Sequence, residues 1–285
     1  MTASDATFLD FAHRMALAAG AVILPHFRVP LDVEDKSSPR PGVAFDGGDG
    51  GSTPGYDPVT VADRAAETVI RTEIARAYPD HGIRGEEHGW EKGASNYTWV
   101  IDPIDGTRSF ILGQLHWATL IALNDGTRVV AGVAHQPYVG ESFVATAGGK
   151  AEWRRGEERR TLRTRGCRAL GNAVLACTHP GIFRTAADLA AFHRVADRVR
   201  LTRYGGDCYA YCLLAMGLID VVIESSLQAY DVQALIPIVE AAGGVFTDWA
   251  GGSCDEGGSV VACGDPALHA QVLALLAPIA YPPVP

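Results

Sequence analysis

Trp99-Val-Ile-Asp-Pro-Ile-Asp-Gly-Thr107 is an apolar run that leads directly into two acids, Asp102 and Asp105, three residues apart. The apolar run predicts a buried strand. Two carboxylates at its end are costly, because burial raises their pKa and favours protonation unless a cation lies between them. Mg²⁺ prefers oxygen ligands and suits this donor set. The stretch therefore indicates either a magnesium site or a strand followed by a helix, with Asp105 as helix cap and Asp102 as turn residue.

The residues that flank the two acids suit a bound anion. Pro103 fixes φ and removes an N–H, which stiffens the turn between the acids. Gly106 lets the backbone approach a ligand closely. If a helix begins at Thr107, the free amides of residues 106 to 108 point at an incoming phosphate, and the helix dipole adds to the attraction.

Composition and charge restrict the class of protein. The chain has 285 residues, of which 47% are hydrophobic and 20% charged, so it has enough apolar residues for a sizeable core in one large domain or two smaller ones. The formal net charge of -9 argues against nucleic acid as a partner, because phosphate backbones are bound mainly by basic surfaces.

Cysteines and apolar stretches bear on the cellular location. The six cysteines form no C-x-x-C pair and no His/Cys cluster at zinc spacing, so we expect buried, reduced thiols. The first residues lack a basic region, and the apolar stretch over 16–25 is short and interrupted by glycine. We therefore expect a cytoplasmic protein that does not bind membranes.

Hydrophobic periodicity predicts two different halves. Residues 5–27 and 60–78 have helical spacing, with Thr60 as N-cap and Asp63 in the first turn of the second helix. The Gly/Pro-rich stretch 37–55 predicts a long loop, either a surface insertion or a lid over a site. Strand-like runs follow at 97–101, 116–123, 128–134 and 141–147. After Gly148, short strands alternate with helices, including one over 230–242. We predict an α+β half over 1–148 and an α/β half over 149–285, which together form one compact unit.

Two further acidic segments lie elsewhere in the chain. Glu86 and Glu87 follow a short strand-like run, and Asp231 opens an apolar helix after the predicted strand 219–224. Each has an ordinary alternative, since Asp231 is also a suitable helix cap and the two glutamates could face water. Together with Asp102 and Asp105, they make a metal site the better interpretation.

The combined pattern resembles the inositol monophosphatase superfamily of metal-dependent phosphatases. The resemblance covers nearly the whole chain except the 37–55 insertion and the arginine-rich 150s, and it implies a layered α-β-α-β-α sandwich of the inositol monophosphatase and fructose bisphosphatase type. The matching segments occur in the family's order: Asp57-Pro-Val-Thr-Val-Ala-Asp63, Gly85-Glu-Glu87, Trp99-Val-Ile-Asp-Pro-Ile-Asp-Gly-Thr107, and Tyr230-Asp231 before Glu240-Ala-Ala-Gly-Gly244.

Within the superfamily, three segments look like the histidinol-phosphate phosphatase branch. The family commonly has Trp before its last metal-binding aspartate, whereas this chain has Tyr230, as that branch tolerates. The three segments are Asp105-Gly-Thr-Arg-Ser-Phe-Ile-Leu-Gly113, His135-Gln-Pro-Tyr-Val-Gly-Glu141 and Gly205-Gly-Asp-Cys-Tyr-Ala-Tyr211.

The resemblance also implies the metal site and the reaction. Two or three Mg²⁺ ions would surround the phosphate, and water would attack in line without a covalent phosphoenzyme. Thr107 and Asp63 would orient or deprotonate that water. The implied metal ligands are Glu86, Asp102, the carbonyl of Ile104, Asp105 and Asp231.

Substrate contacts are expected outside the metal ligands. Gly106 and Thr107 would contact the phosphate, and the resemblance places Asp207 and Glu224 near the leaving group. Two carboxylates there suit a cation that carries an amine and an imidazole, as histidinol does, although a polyol could use them as hydrogen-bond acceptors. Asp207 has an alternative interpretation as the N-cap of the helix that follows it.

The leading hypothesis is a Mg²⁺-dependent histidinol-phosphate phosphatase of histidine biosynthesis that acts on a small-molecule phosphate monoester. An inositol 1-phosphate or broad sugar-phosphate phosphatase is the nearest alternative. A non-catalytic, metal-stabilised regulatory module is an alternative of another class. The resemblance further implies a homodimer.

Overall fold

Capping residues and apolar periodicity place the helices. The computed structural model describes residues 3–30, 32–35 and 58–277. Thr60 caps α2, and Asp63 completes a capping box with it, as the sequence predicts. The predicted loop over 37–55 lies outside the described residues. The α-helices are α1 (Ala3–Ile23), α2 (Val61–Ala77), α3 (Thr107–Ile111), α4 (Ala186–Ala196), α5 (Asp207–Ala215), α6 (Ala229–Val232), α7 (Leu235–Ala241) and α8 (Pro266–Leu276).

The strands form one large sheet, one smaller sheet and a two-stranded ribbon. They are β1 (Val33–Asp35), β2 (Pro58–Thr60), β3 (Gly82–Gly85), β4 (Gly89–Glu91), β5 (Thr98–Asp105), β6 (Ala118–Asn124), β7 (Val129–Gln136), β8 (Glu141–Thr146), β9 (Glu152–Arg155), β10 (Glu158–Thr161), β11 (Val174–Cys177), β12 (Leu201–Tyr204), β13 (Val221–Gln228), β14 (Val245–Asp248) and β15 (Gly257–Cys263).

The large sheet has the order β10-β9-β8-β7-β6-β5-β3-β4, and the smaller sheet has the order β12-β11-β13-β15-β14. Neighbours in the large sheet are antiparallel except β3 and β5, which run parallel. The smaller sheet is mixed, because β11 pairs in parallel with β12 and β13 while β15 is antiparallel to its neighbours. Within the described part of the chain, β1 and β2 form a separate antiparallel pair.

The two sheets and the helices alternate as layers. Helices α1 and α2 cover one face of the large sheet, α5, α6 and α7 lie between the two sheets, and α4 and α8 cover the outer face of the smaller sheet. Successive side chains of β5 point to opposite faces of the large sheet and so contribute to different layers. Trp99 and Ile101 join the cluster under α1, whereas Val100 joins the core between the sheets. The predicted α-β-α-β-α sandwich is confirmed.

Three details differ from the sequence-based expectation. Strand β5 continues past residue 101 to Asp105, and its register against β6 shifts between Asp102 and Asp105. The predicted helix over 230–242 is two helices, α6 and α7. Pro237 explains this break, because it has no N–H for an i to i−4 bond and is tolerated only in the first turn of a new helix. Strands β12 and β14 were not predicted.

The division of the chain at residue 148 stays a prediction. The large sheet itself continues to Thr161 through the hairpin of β9 and β10. β10 is exposed at all four positions, so this end of the sheet lies at the protein surface.

The apolar segment that includes most of helix α1 is longer than the stretch 16–25 that the sequence pattern suggested. Among the described residues, Ala6–His26 is long and apolar enough to cross a membrane by length and composition, although half of its most apolar window is buried inside the protein. The buried side chains of this segment, Phe11, Met15 and Ile23 among them, belong to the hydrophobic cluster beneath the large sheet. Such packing is typical of a core helix.

Candidate functional site

Carboxylates from three separate segments converge between the two sheets. One oxygen each from Asp102, Asp105 and Asp231 lies within 4.8 Å of the others. The register shift in β5 aims Asp102 and Asp105 at this point, and α6 brings in Asp231. Glu86, just after β3, is hydrogen-bonded to Asp102. The structure therefore gathers four predicted side-chain ligands, which we call the acid cluster.

The acid cluster is electrostatically costly without a cation. Burial, followed by the charges of Glu86, Asp105 and Asp231, raises the pKa of Asp102 well above its ordinary value. Burial and the charge of Asp231 raise the pKa of Asp105 in the same way. The pKa of Asp231 rises to about 7, mainly through burial. These ligand atoms are all oxygens, and a bound divalent cation would offset the burial and the mutual repulsion that raise their pKa values. The acid cluster therefore fits a hard divalent cation.

Backbone groups hold the cluster in place. Asp102 Oδ1 accepts the Ile104 N–H at 3.0 Å, and Asp105 Oδ2 accepts the Cys208 N–H at 2.8 Å. Asp231 accepts the Gln228 N–H at 2.6 Å in the capping box of α6. Asp231 is therefore not the N-cap of α6, which is Gln228, but it takes part in the capping box as its third helical residue and belongs to the cluster as well.

Asp63 has one satisfied and one unsatisfied oxygen. Its Oδ2 accepts the N–H of Thr60 at 2.9 Å and the hydroxyl of Thr60 at 2.5 Å. Its Oδ1 is buried and has no hydrogen-bond partner among the described residues. Burial raises the pKa of Asp63 to about 7 against those two hydrogen bonds, and the charges of Glu87 and Glu86 add to the rise. An oxygen of this kind suits a site that admits hydrated cations or water.

Thr107 begins a helix, as predicted, but its hydroxyl points to the backbone. It donates to the carbonyl of Ile104 at 3.1 Å, rather than to Asp63. Gly106 precedes it with φ +85, and an added Cβ would lie 2.5 Å from the His116 carbonyl oxygen. Only glycine fits this position.

A cavity of about 120 Å³ connects the acid cluster to the predicted leaving-group residues. It is lined at one end by Asp105 and Asp231 and elsewhere by Thr178, Ile182, Asp207, Cys208, Tyr211, Glu224 and Leu227. The predicted metal ligands and the predicted substrate contacts therefore share one cavity.

Asp207 does not cap helix α5, so that alternative is wrong. The N-cap is Gly206, and Asp207 follows it with a φ of +43. Its carboxylate accepts the Ser109 hydroxyl at 2.7 Å, and its N–H donates to the Thr178 hydroxyl at 3.0 Å. A left-handed backbone at a residue other than glycine costs about 1–3 kcal/mol and is found mostly at functional sites.

Glu224 is buried, with only 3% of its surface exposed. Its Oε1 accepts the Thr178 N–H at 2.8 Å, and its Oε2 accepts the Tyr211 hydroxyl at 3.0 Å. Burial nevertheless raises its pKa to about 7. The residue closes the inner end of the cavity with both oxygens already hydrogen-bonded.

The structure also shows residues that the sequence reasoning missed. Thr178 and Tyr211 fix Glu224, and Glu67 lies fully buried beside the segment that carries Glu86. Glu67 stands four residues after Asp63 on the same buried helical face, and this spacing is the signal that could have identified it.

The chain is similar to known proteins over most of its length. The model of the inositol monophosphatase family matches residues 4–280. "Bifunctional phosphatase IMPL2, chloroplastic" of Arabidopsis thaliana is 38% identical over 277 residues, which cover 93% of this chain and 74% of that protein. Histidinol-phosphatase of Mycobacterium tuberculosis is 34% identical over 224 residues, covering 78% of this chain and 86% of that protein.

A solved structure agrees in fold as well as in sequence. An inositol monophosphatase from Zymomonas mobilis has a TM-score of 0.81 and 35% identity, covering 97% of this chain and 99% of that one. The sandwich fold and the acid cluster of this chain are consistent with the family match. The chain belongs to the inositol monophosphatase family of metal-dependent phosphatases that act on small-molecule phosphate monoesters.

Proposed function

We propose that this phosphatase hydrolyses L-histidinol phosphate to L-histidinol and phosphate with Mg²⁺, as a step of histidine biosynthesis. The observation that carries the proposal is the composition of the cavity beyond the acid cluster. Asp207 and Glu224 supply two carboxyl groups there, and Ile182 and Leu227 supply apolar surface. A cationic substrate with an amine and a flat ring matches both.

A polyol matches the same cavity less well. Each oxygen of Glu224 already accepts one hydrogen bond, from Thr178 or Tyr211, so only its remaining lone pairs are open to sugar hydroxyls. The side chains of Ile182 and Leu227 offer none. By contrast, the charge of Asp207 can attract an ammonium group without a closely matched hydroxyl pattern.

The relatives are compatible with this proposal but do not choose between substrates. A histidinol-phosphatase is 34% identical to the chain, and an inositol monophosphatase of known structure is 35% identical. The cavity residues, rather than overall similarity, therefore support the histidinol assignment.

Two or three Mg²⁺ ions would be held by Glu86, Asp102, the Ile104 carbonyl, Asp105 and Asp231. When bound, they neutralise the phosphate charge and make water acidic enough to attack near neutral pH. Asp63, whose Oδ1 has no hydrogen-bond partner among the described residues, would accept a proton from the attacking water. The amides that follow Gly106 would donate to the phosphate oxygens, and the Thr107 hydroxyl, which donates to the Ile104 carbonyl in this structure, would have to turn toward the attacking water.

For the assembly we propose a homodimer in the cytoplasm. Large exposed apolar side chains, such as Leu112 at 72% and Tyr138 at 49% exposure, support a contact between copies. All six cysteines are free, which supports a reducing compartment. Light scattering of the purified protein measures the first point directly, and a monomer at micromolar concentration contradicts it.

The test of substrate is a comparison of kcat/KM for L-histidinol phosphate and inositol 1-phosphate with Mg²⁺. We expect a preference of at least about a hundredfold for histidinol phosphate, because a site built for one set of polar groups rejects a substrate that lacks them. Equal or inverted preference assigns the protein to the inositol or sugar-phosphate alternative.

The variant Asp207→Asn sharpens this test. It should lower kcat/KM for L-histidinol phosphate by about tenfold or more, while a neutral aryl phosphate loses much less. Glu158→Gln, which changes an exposed carboxylate on β10, is the matched control.

A further inference from the structure

Glu67 is a buried carboxylate that the mechanism above does not use. Its side chain is completely buried, one helical turn beyond Asp63 on α2. It accepts the backbone N–H of Glu87 at 2.7 Å and that of His88 at 3.2 Å. A charged acceptor that binds two consecutive amides holds the turn between β3 and β4, where Glu86 is located.

Gly85 makes this arrangement possible. It is the last residue of β3 and immediately precedes Glu86. A Cβ added to Gly85 would lie 1.9 Å from Glu67 Oε1, well inside any allowed contact. The carboxylate therefore packs directly on the backbone of the segment that presents the metal ligand.

Arg71 fixes Glu67 from the other side. Its Nε donates to Glu67 Oε1 at 2.6 Å, and another of its guanidinium nitrogens donates to the Gly89 carbonyl. The Arg71 side chain is only 15% exposed, so this pair is shielded from solvent. Helix α2 thus holds both ends of the 86–88 turn, through Glu67 at its amides and through Arg71 at Gly89.

We infer that Glu67, held by Arg71, is a positioning residue that sets Glu86 for metal binding. The same face of α2 carries Asp63, so one helix determines where both Asp63 and Glu86 lie relative to the acid cluster. The inference rests on the proposed role of Glu86 as a metal ligand. Residues that orient metal ligands typically contribute ten- to a hundredfold to metal affinity.

The test uses Glu67→Gln in the full-length protein, with Glu73→Gln on the same helix as control. Glu73 is paired with Arg76, three residues further along the same helix, and its side chain is partly exposed. The glutamine has one oxygen and one NH₂ group, so its NH₂ must face a backbone N–H or the Arg71 guanidinium. Hydrogen–deuterium exchange of the 84–91 segment is measured in metal-free protein, and Mg²⁺ affinity is measured by calorimetry.

We expect Glu67→Gln to exchange about tenfold faster over 84–91, with the β6–β7 hairpin unchanged, and to bind Mg²⁺ about tenfold more weakly. At saturating Mg²⁺, kcat should return to within about threefold of the parent. Unchanged Mg²⁺ affinity overturns the inference, even if exchange increases, because the role of Glu67 would then be structural only.

Gly85→Ala is a second variant in case Glu67→Gln fails to fold. It keeps the carboxylate but displaces it, so it should show the same weaker Mg²⁺ binding, and parent-like affinity overturns the inference. Neither measurement requires turnover. A parent protein that binds Mg²⁺ but hydrolyses no phosphate monoester refutes the proposed function and leaves this inference to be decided by exchange and affinity.

Discussion

The two acidic ends of the cavity differ in what compensates their charge. In the acid cluster, one carboxylate oxygen each of Asp102, Asp105 and Asp231 lies within 4.8 Å of the others. The repulsion between these charges opposes the stabilisation that each carboxylate gains from its backbone N–H donor. At the other end, Glu224 has a protein donor on each oxygen, from Thr178 and Tyr211. The first end needs cations to become stable, whereas the second is already organised by the protein.

The largest expected effect is that of Asp102→Asn, which should reduce activity by about a thousandfold or more by removing a charge that holds the metals. The same variant should make the metal-free protein more stable, by roughly 1 kcal/mol at pH 8, because one crowded anion is gone. Asparagine still offers an oxygen to the Ile104 N–H. Phosphate release and calorimetry with a chelator measure the two effects.

The pH dependence distinguishes this variant from a general loss of structure. The folded-state pKa of Asp102 is raised, so the folded protein binds more protons than the unfolded chain, and stability falls as pH rises above about 4. The gain from Asp102→Asn should therefore be larger at pH 8 than at pH 5. Mg²⁺ should stabilise the parent by about 2.7 kcal/mol at a hundred times its Kd and the variant by less. A variant that is destabilised in the metal-free form contradicts the comparison.

Asp63 gives the next largest effect, because it lies beside the cluster and has a free oxygen. Asp63→Asn should lower kcat by about a hundredfold if the carboxylate takes a proton in the reaction. In the parent, activity should fall as the pH drops below about 7, where Asp63 becomes protonated. The variant should lose this acidic limb of the pH profile. If Asp63→Asn keeps the acidic limb of the pH profile, that limb arises from the titration of another group.

Glu224→Ala tests the organised end, where we expect the opposite effect on stability. The variant leaves the Thr178 N–H and the Tyr211 hydroxyl without their acceptor, which should cost about 2 kcal/mol of unfolding free energy. The pKa of Glu224 is raised from 4.5 to about 7, so its own contribution to stability declines as pH rises through that range. Chemical denaturation should therefore show a larger loss at pH 5 than at pH 8. If Glu224→Ala were more stable than the parent, the proposed difference between the two ends of the cavity would be contradicted.

The smallest effect concerns the hydrogen bond between Ser109 and Asp207. Ser109→Ala removes the 2.7 Å donor and should raise KM for a cationic substrate by about two- to fivefold, with kcat nearly unchanged. Steady-state kinetics with L-histidinol phosphate measure this. A fall in kcat alone would place Asp207 closer to the reacting atoms than to the leaving group.

Much of the acid cluster could be predicted because its residues lie in short segments with local signals. Asp102 and Asp105 follow an apolar strand, and Thr60 with Asp63 forms a capping box that is readable over four residues. The two roles of Asp231 were harder to separate, since a capping residue and a metal ligand require the same side chain. Only its distance to Asp102 and Asp105 shows that it belongs to the cluster.

The remaining parts depend on contacts between distant segments. Asp207 could be interpreted as a cap until its backbone φ and its bond to Ser109, 98 residues away, were known. Glu67 contacts amides about 20 residues away, so its spacing from Asp63 on α2 indicates a buried position but does not show what the carboxylate binds. Local sequence patterns carry no information about partners that lie so far away along the chain.

The sequence by itself determined the alternation of helices and strands, the capped start of α2 and the presence of acids at a strand end. These features follow from hydrophobic period and side-chain chemistry, which act within one or two turns of chain. The tertiary structure decided which carboxylates meet, where α6 ends and α7 begins, and how the cavity joins the acid cluster to Glu224. The physical reason is that burial and charge proximity exist only after the two sheets and their helices have packed.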